Sequence, residues 1–205
     1  MELTPHYQKE IECLHCKKKF KTTKLRSKFV KVEKQESDFQ PVYINNEANP
    51  LFYNVFVCEH CGFSFTEDFT KYFAPGVKDE IQEKISANWT PHSFGDERTI
   101  EQAISAYKLA YLSGTVKKEK AVATAGLALR TAWLYRINKN QEQELRFISI
   151  ARNLYSDSYS SEDYAGIQIP EDMQGESFRK LVSGETNEWR DAARPNRTSP
   201  IHDYQ

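Results

Sequence analysis

An α+β fold, in which a small β-rich module precedes an array of α-helices, is what this 205-residue sequence predicts. Three observations predict it. Residues before position 75 are rich in aromatic and β-branched side chains and punctuated by cysteines. Residues after Ala74-Pro75-Gly76 repeat their apolar side chains at helical spacing, and that turn-forming triplet falls between the two patterns. The chain divides accordingly into a β module over 1–75, a helical-hairpin array over 76–160 and a polar, flexible tail over 161–205.

Within the β module, Lys24 to Glu33 and Leu51 to Val57 read as strands, with a polar connection from Lys34 to Pro50 between them. No strand is evident before Cys13. Lys78 to Asn88 forms a short helix with Ile81 and Ile85 on one side. Thr99 and Gln102 have the form of a capping box, after which Ile100, Ala103, Ile104, Tyr107, Ala110 and Tyr111 share one helix face until Ser113-Gly114 stops it. Lys118 to Ile137 is apolar on two sides, as expected of a helix sandwiched between neighbours. Asn138-Lys139-Asn140 breaks the pattern, and Gln141 to Tyr155 resumes it through Leu145, Ile148, Ala151, Leu154 and Tyr155. Ile104-Ser-Ala-Tyr-Lys-Leu-Ala-Tyr111 is echoed by Ile148-Ser-Ile-Ala-Arg-Asn-Leu-Tyr155, the small-residue and Tyr usage of tetratricopeptide-like hairpins; three or four ordinary packed helices explain it equally well. After about Ser156 the sequence turns polar: residues 156–166 are turn-rich, Phe178 to Val182 suits one or two helical turns, and Arg190 to Gln205 is polar. The tail therefore cannot bury enough apolar surface to offset its ordering entropy and is mostly disordered or ordered only on a partner.

Composition narrows the function. Charged residues make up 28% and aromatic residues 13% of a chain whose formal net charge is −1, so no global field draws it to nucleic acid or a membrane surface. The N-terminal MELTPHYQKEIEC has neither signal- nor transit-peptide character, and no run approaches the roughly 18 apolar residues of a membrane span. The expected location is the cytoplasm. Thiols stay reduced there, so the cysteines are ligands or reactive groups rather than disulfides, and the two Asn-x-Thr sequons carry no weight.

All four cysteines fall into two Cys-x-x-Cys pairs, Cys13/Cys16 and Cys58/Cys61. A two-residue spacer turns both sulfurs toward one point, and two such knuckles close a tetrahedral sulfur shell around Zn²⁺ with no open position for a substrate, which makes the ion structural. The 41 residues from Lys17 to Val57 are what a strand out, a connection and a strand back consume, Leu51 to Val57 being the return. Gly62 suits the backbone angle a knuckle needs. The competing readings are a pair of independent redox dithiols and cysteines that happen to be buried; a thioredoxin-type pair, however, opens a helix after a buried strand. His15 and His60 read as spacers inside the knuckles, and His6, His92 and His202 have no recognisable partners.

Lys17 to Lys34 is locally basic, and Lys24, Arg26 and Lys28 would share one strand face as a nucleic-acid contact. The first 75 residues nevertheless carry eleven Lys and Arg against ten Asp and Glu, which favours a solvated face that also offsets a thiolate-rich site. No catalytic motif is present, Glu67-Asp68 reads as ordinary surface, and a non-enzyme is favoured.

Cys13-x-x-Cys16 followed by Lys-Lys-Lys-Phe20-Lys, Lys24-Leu-Arg-Ser27, Asp38-Phe39, Asn49-Pro50-Leu-Phe-Tyr53 and Val57-Cys58-x-x-Cys61-Gly62 together resemble a bacterial domain family of unknown function found in Firmicutes and relatives, over roughly residues 8 to 165. The resemblance implies a zinc-binding N-terminal part, zinc-ribbon-like, joined to tetratricopeptide-like helices; family members continue with a further amphipathic helix where this chain has polar Gly175 to Gln205. The expected role is a protein-interaction module working through its helices. Alternatives are nucleic-acid binding through the basic segment and a zinc-thiolate redox sensor.

Overall fold

The computed structural model describes residues 3–45 and 49–163. Among the described residues, three two-stranded antiparallel sheets come first and four helices follow. Strands β1 (His6–Glu12) and β2 (Lys19–Leu25) pair in register from His6 opposite Leu25 to Glu12 opposite Lys19. β3 (Val32–Gln35) pairs with β4 (Pro41–Tyr43) through a bulged register, and β5 (Phe56–Val57) pairs with β6 (Ser64–Phe65). The helices are α1 (Val77–Lys84), α2 (Ile100–Lys117), α3 (Ala121–Ile137) and α4 (Gln141–Asp163).

The strand pattern departs from the sequence reading in three places. Lys24 to Glu33 is not one strand: Arg26 N–H closes the open end of the β1–β2 hairpin on the Pro5 carbonyl, and Ser27–Phe29 then makes a 3-10 turn before β3 begins. Leu51 to Val57 is not a return strand either. Asn49 accepts a hydrogen bond from Leu51 N–H at 2.9 Å and Pro50 supplies a fixed φ, so Pro50–Tyr53 forms a 3-10 turn and only Phe56–Val57 is extended. Before Cys13, β1 exists because its partner β2 pairs along it; its exposed Gln8, Lys9 and Glu10 hide it from an apolar-alternation test.

Much of the Lys34 to Pro50 connection is the β3–β4 hairpin. Its tip turns at Phe39, φ +66°, whose N–H donates to the Glu36 carbonyl. Asp38 and Gln40 fasten that tip to the helices. Arg136 on α3 places Nη2 2.8 Å from Asp38, donates from Nη1 to Gln40 and from Nε to Glu144 on α4, while Trp133 Nε1 donates to Asp38 at 3.0 Å.

Helix α2 opens with the expected reciprocal capping box between Thr99 and Gln102. It does not stop at Ser113-Gly114. The helix continues to Lys117 and ends with Lys118 at φ +59°, where Lys118 N–H donates to Thr115 and Glu119 N–H to Gly114 in a Schellman arrangement. Gly114 is there for space: a β-carbon would lie 3.1 Å from Thr124 Cγ2 and 3.2 Å from Phe69 Cζ. Helix α3 is buried on both sides as predicted, packing against α2 and α4. Helix α4 runs past Ser156 to Asp163, beyond the turn-rich boundary read from composition.

One apolar core runs from Cys13 and Phe20 through Phe56, Phe63 and Phe65 to Ile81, Tyr107, Leu127, Leu134 and Ala151, so the sheets and helices share it. At the far end of α2, Lys117 and Glu119 pair with side chains only 2% and 1% exposed, and Glu119 also accepts from Thr70 N–H. None of the described helices is long and apolar enough to cross a membrane. The 161–205 tail and its Phe178 to Val182 segment lie outside the described residues beyond Asp163, as does His202.

Candidate metal centre

Two hairpin turns carry the cysteines. Cys13 follows β1 and Cys16 lies before β2; Cys58 follows β5 and Cys61 lies before β6. The turns are built alike. In the first, Cys13 N–H donates to Lys18 at 3.0 Å and Lys17 N–H to Cys13 at 3.1 Å; in the second, Cys58 N–H donates to Phe63 at 3.1 Å and Gly62 N–H to Cys58 at 2.8 Å. The residue after each second cysteine is left-handed, with φ +64° at Lys17 and +71° at Gly62. Two knuckles of one geometry therefore face each other.

Their sulfurs converge. Cys13 and Cys61 Sγ atoms are 3.7 Å apart, as are those of Cys16 and Cys58, and all four lie within 4.8 Å of one another. A tetrahedron of thiolates at a Zn–S distance of about 2.3 Å has edges of about 3.8 Å, so the cluster fits an ion of that size and coordination. Cys13 and Cys58 are fully buried, Cys61 nearly so, and Cys16 half-buried.

The sulfurs alone sustain little charge. Hydrogen bonds from the Cys13 and Cys61 thiols pull Cys58 far below the usual thiol value. Cys13 is raised by its hydrogen bonds with Cys58 and Cys61 and by burial; Cys61, pulled down by Cys13, is driven up overall by Cys58 and by burial. A thiolate at Cys58 thus disfavours ionisation at Cys13 and Cys61, an order that a divalent cation overturns by stabilising thiolates together.

The surroundings lock the knuckles to the rest of the fold. Trp89, just beyond the Ser86–Asn88 3-10 turn, donates from Nε1 to the Glu59 carbonyl at 2.8 Å. Its ring lies against Gly62, where a β-carbon would sit 2.6 Å from Cδ2 and Cε3. Gly62 is favoured by its backbone angle, which Lys17 adopts with a side chain, and required by the indole. His60 Nε2 donates to the Lys19 carbonyl at 3.2 Å and His15 Nε2 to the Lys78 carbonyl at 3.3 Å, so each knuckle histidine reaches away from the sulfurs to a neighbouring element, as spacers rather than ligands. Burial holds the His15 imidazole below its usual value. Behind the sulfurs, Phe63 stacks with Phe65 at 5.9 Å, and Ser64 N–H donates to Ser113 on α2 at 3.0 Å.

Nothing in the local sequence pointed to Trp89, which lies 28 positions beyond Cys61 and has no motif of its own. Lys17 gave no signal either, since the left-handed position after Cys16 is filled by a residue other than glycine. Lys24, Arg26 and Lys28 do not share a strand face, because β2 ends at Leu25. Lys24 Nζ sits 3.3 Å from Glu67 and over the Phe56 ring, Arg26 lies over Tyr7 and donates to the Thr4 carbonyl, and Lys28 lies over Phe29. His6 is 3.0 Å from Glu97, and His92 stacks on Trp89 with ring centroids 4.3 Å apart.

Small antiparallel sheets carrying a four-cysteine cluster able to hold a metal ion, followed by a packed four-helix array, define the class. The family follows from residues 6–173, which match the model of the family described as "Uncharacterized protein conserved in bacteria (DUF2225)"; the chain belongs to that family. No curated protein and no solved structure matches it.

Proposed function

We propose that the chain is a non-enzymatic protein-interaction module of the bacterial cytoplasm, in which structural Zn²⁺ held by Cys13, Cys16, Cys58 and Cys61 closes a zinc-ribbon-like module over 1–75 and thereby braces a tetratricopeptide-like array over 76–160. The observation that carries this reading is the opposition of two knuckles with the same hydrogen-bond pattern and sulfurs at tetrahedral spacing. Four protein sulfurs complete the shell of a zinc ion and leave it no position for a substrate. The helices support the second half of the reading. Short turns at residues 118–120 and 138–140 join α2, α3 and α4 into successive hairpins, and Ala103, Ala106, Tyr107, Ala110, Ala125, Ala128 and Ala132 are buried. Lys24 and Arg26, each already engaged within the chain, favour this reading over a nucleic-acid one.

The test is co-purification with the zinc-loaded full chain as bait. The proposal expects a protein whose capture is weakened when exposed Leu112 on α2 or Leu145 on α4 is replaced by Glu. Retention on DNA that falls steeply with salt, and is lost in the K24A/R26A/K28A variant, would replace it with the nucleic-acid reading.

A further inference from the structure

The four sulfurs are not equivalent. Cys13 and Cys58 are 0% exposed and Cys61 6%, whereas Cys16 alone is open in part to solvent. Oxidants reach thiolates in order of their exposure, so Cys16 is the point of entry. Cys58 in the opposite knuckle lies 3.7 Å from it, and Cys13 and Cys61, which also bridge the knuckles, lie 3.7 Å apart.

From this geometry we propose that Cys16 is a modification site for a two-electron oxidant of the peroxide class, and that its oxidation closes the cluster as the cross-knuckle disulfides Cys16–Cys58 and Cys13–Cys61. The inference rests on the zinc reading. The Cys16 thiolate attacks a peroxide oxygen, breaking the O–O bond, and becomes a sulfenic acid as hydroxide leaves. The Cys58 thiolate then attacks the Cys16 sulfur and expels a second hydroxide, forming the first disulfide. With half its ligands gone the cation is released, and a second peroxide takes Cys13 and Cys61 through the same two steps. Four thiolates and two peroxides thus give two disulfides and four hydroxides, with Zn²⁺ freed.

Cross-knuckle bonding has a structural consequence that bonding within each knuckle lacks. Contraction from 3.7 Å to a disulfide length of about 2.05 Å keeps the β1–β2 and β5–β6 hairpins tied at the place where the ion tied them. Phe20, Phe63 and Trp89 then keep their packing, and thiol reduction in the presence of zinc restores the starting state. Disulfides within each pair would instead leave no covalent or metal tie between the two hairpins, only packing and exposed polar contacts such as His60 with the Lys19 carbonyl.

The experiment treats the zinc-loaded full chain with hydrogen peroxide, blocks residual thiols, digests it without reductant and assigns the sulfur pairs by electron-transfer fragmentation. Zinc is counted before and after. The expected result is loss of all four thiols, release of the bound zinc, disulfides Cys16–Cys58 and Cys13–Cys61, and recovery of zinc binding after reduction. Brief alkylation of the same protein with substoichiometric iodoacetamide should label Cys16 first. Pairs within each knuckle, the other cross-knuckle pairing, or alkylation spread evenly over the four cysteines overturn this inference while leaving the zinc reading intact. A chain that holds no zinc before treatment overturns both.

Discussion

Gly62→Ala is the most informative single substitution at the knuckles. It places a methyl group 2.6 Å from two carbons of the Trp89 ring while the backbone stays at φ +71°. Putting a side chain in the left-handed region costs about 1 kcal/mol, and forcing a methyl into a packed contact adds about 1–3 kcal/mol, so the loss should total about 2–4 kcal/mol. Only the steric part depends on Trp89. In a Trp89→Ala background, Gly62→Ala should therefore cost only about 1 kcal/mol. The equivalent position in the other knuckle provides a control of opposite sign: Lys17 already bears a side chain at φ +64°, and Lys17→Gly should stabilise the protein by up to about 1 kcal/mol. Urea unfolding at fixed free zinc, with zinc content verified for each variant, measures all of these. If Gly62→Ala costs the same with and without Trp89, the indole does not hold the knuckle as described.

Other perturbations test the scaffold around the site. Lys117→Met leaves the 1%-exposed Glu119 side chain without its cation and should cost about 3–5 kcal/mol in urea unfolding; adding Glu119→Gln should recover much of that loss, and no recovery argues against the pair. Burial acts to raise the Asp38 pKa, but hydrogen bonds and charge from Arg136, with the Trp133 N–H, outweigh it and hold the carboxyl below its usual value. A depressed carboxylate stabilises the fold above its unfolded pKa of about 3.9 and loses that contribution as pH falls through the folded value. The stability gap between wild type and Asp38→Asn, read from urea midpoints, should accordingly be full at neutral pH and shrink below about pH 4; a gap that stays constant across that range removes the ion pair as its cause. Chelation should also red-shift tryptophan emission as Trp89 loses its contact with Gly62, and the shift should be smaller in Trp89→Phe. An equal shift in both assigns the signal elsewhere.

Local chemistry decided what could be read in advance. The Thr99–Gln102 box was legible because both partners lie within one turn, and α3 was legible as a sandwiched helix because its two apolar faces are written in its own residues. The four cysteines were legible because their spacing is set by the geometry of a single knuckle. Tertiary partners decided the rest. β1 is a strand through pairing with β2, Gly114 is a packing glycine through Thr124 and Phe69, and Trp89 meets Gly62 only once the fold has formed. Leu51 to Val57 misled because its aromatic residues suit strands, whereas Asn49 and Pro50 ahead of them start a helical turn. The network joining Asp38 and Gln40 to Arg136 spans nearly 100 positions and has no local signature at all.

Zinc-edge X-ray absorption on the purified full chain, with metal content determined on the same sample, addresses the centre directly. Four sulfur scatterers at about 2.3 Å and one zinc per chain are expected, falling to sub-stoichiometric zinc in Cys13→Ser and Cys61→Ser. Nitrogen or oxygen in the shell, or undiminished zinc in either variant, would contradict a cation held by sulfur from both hairpins.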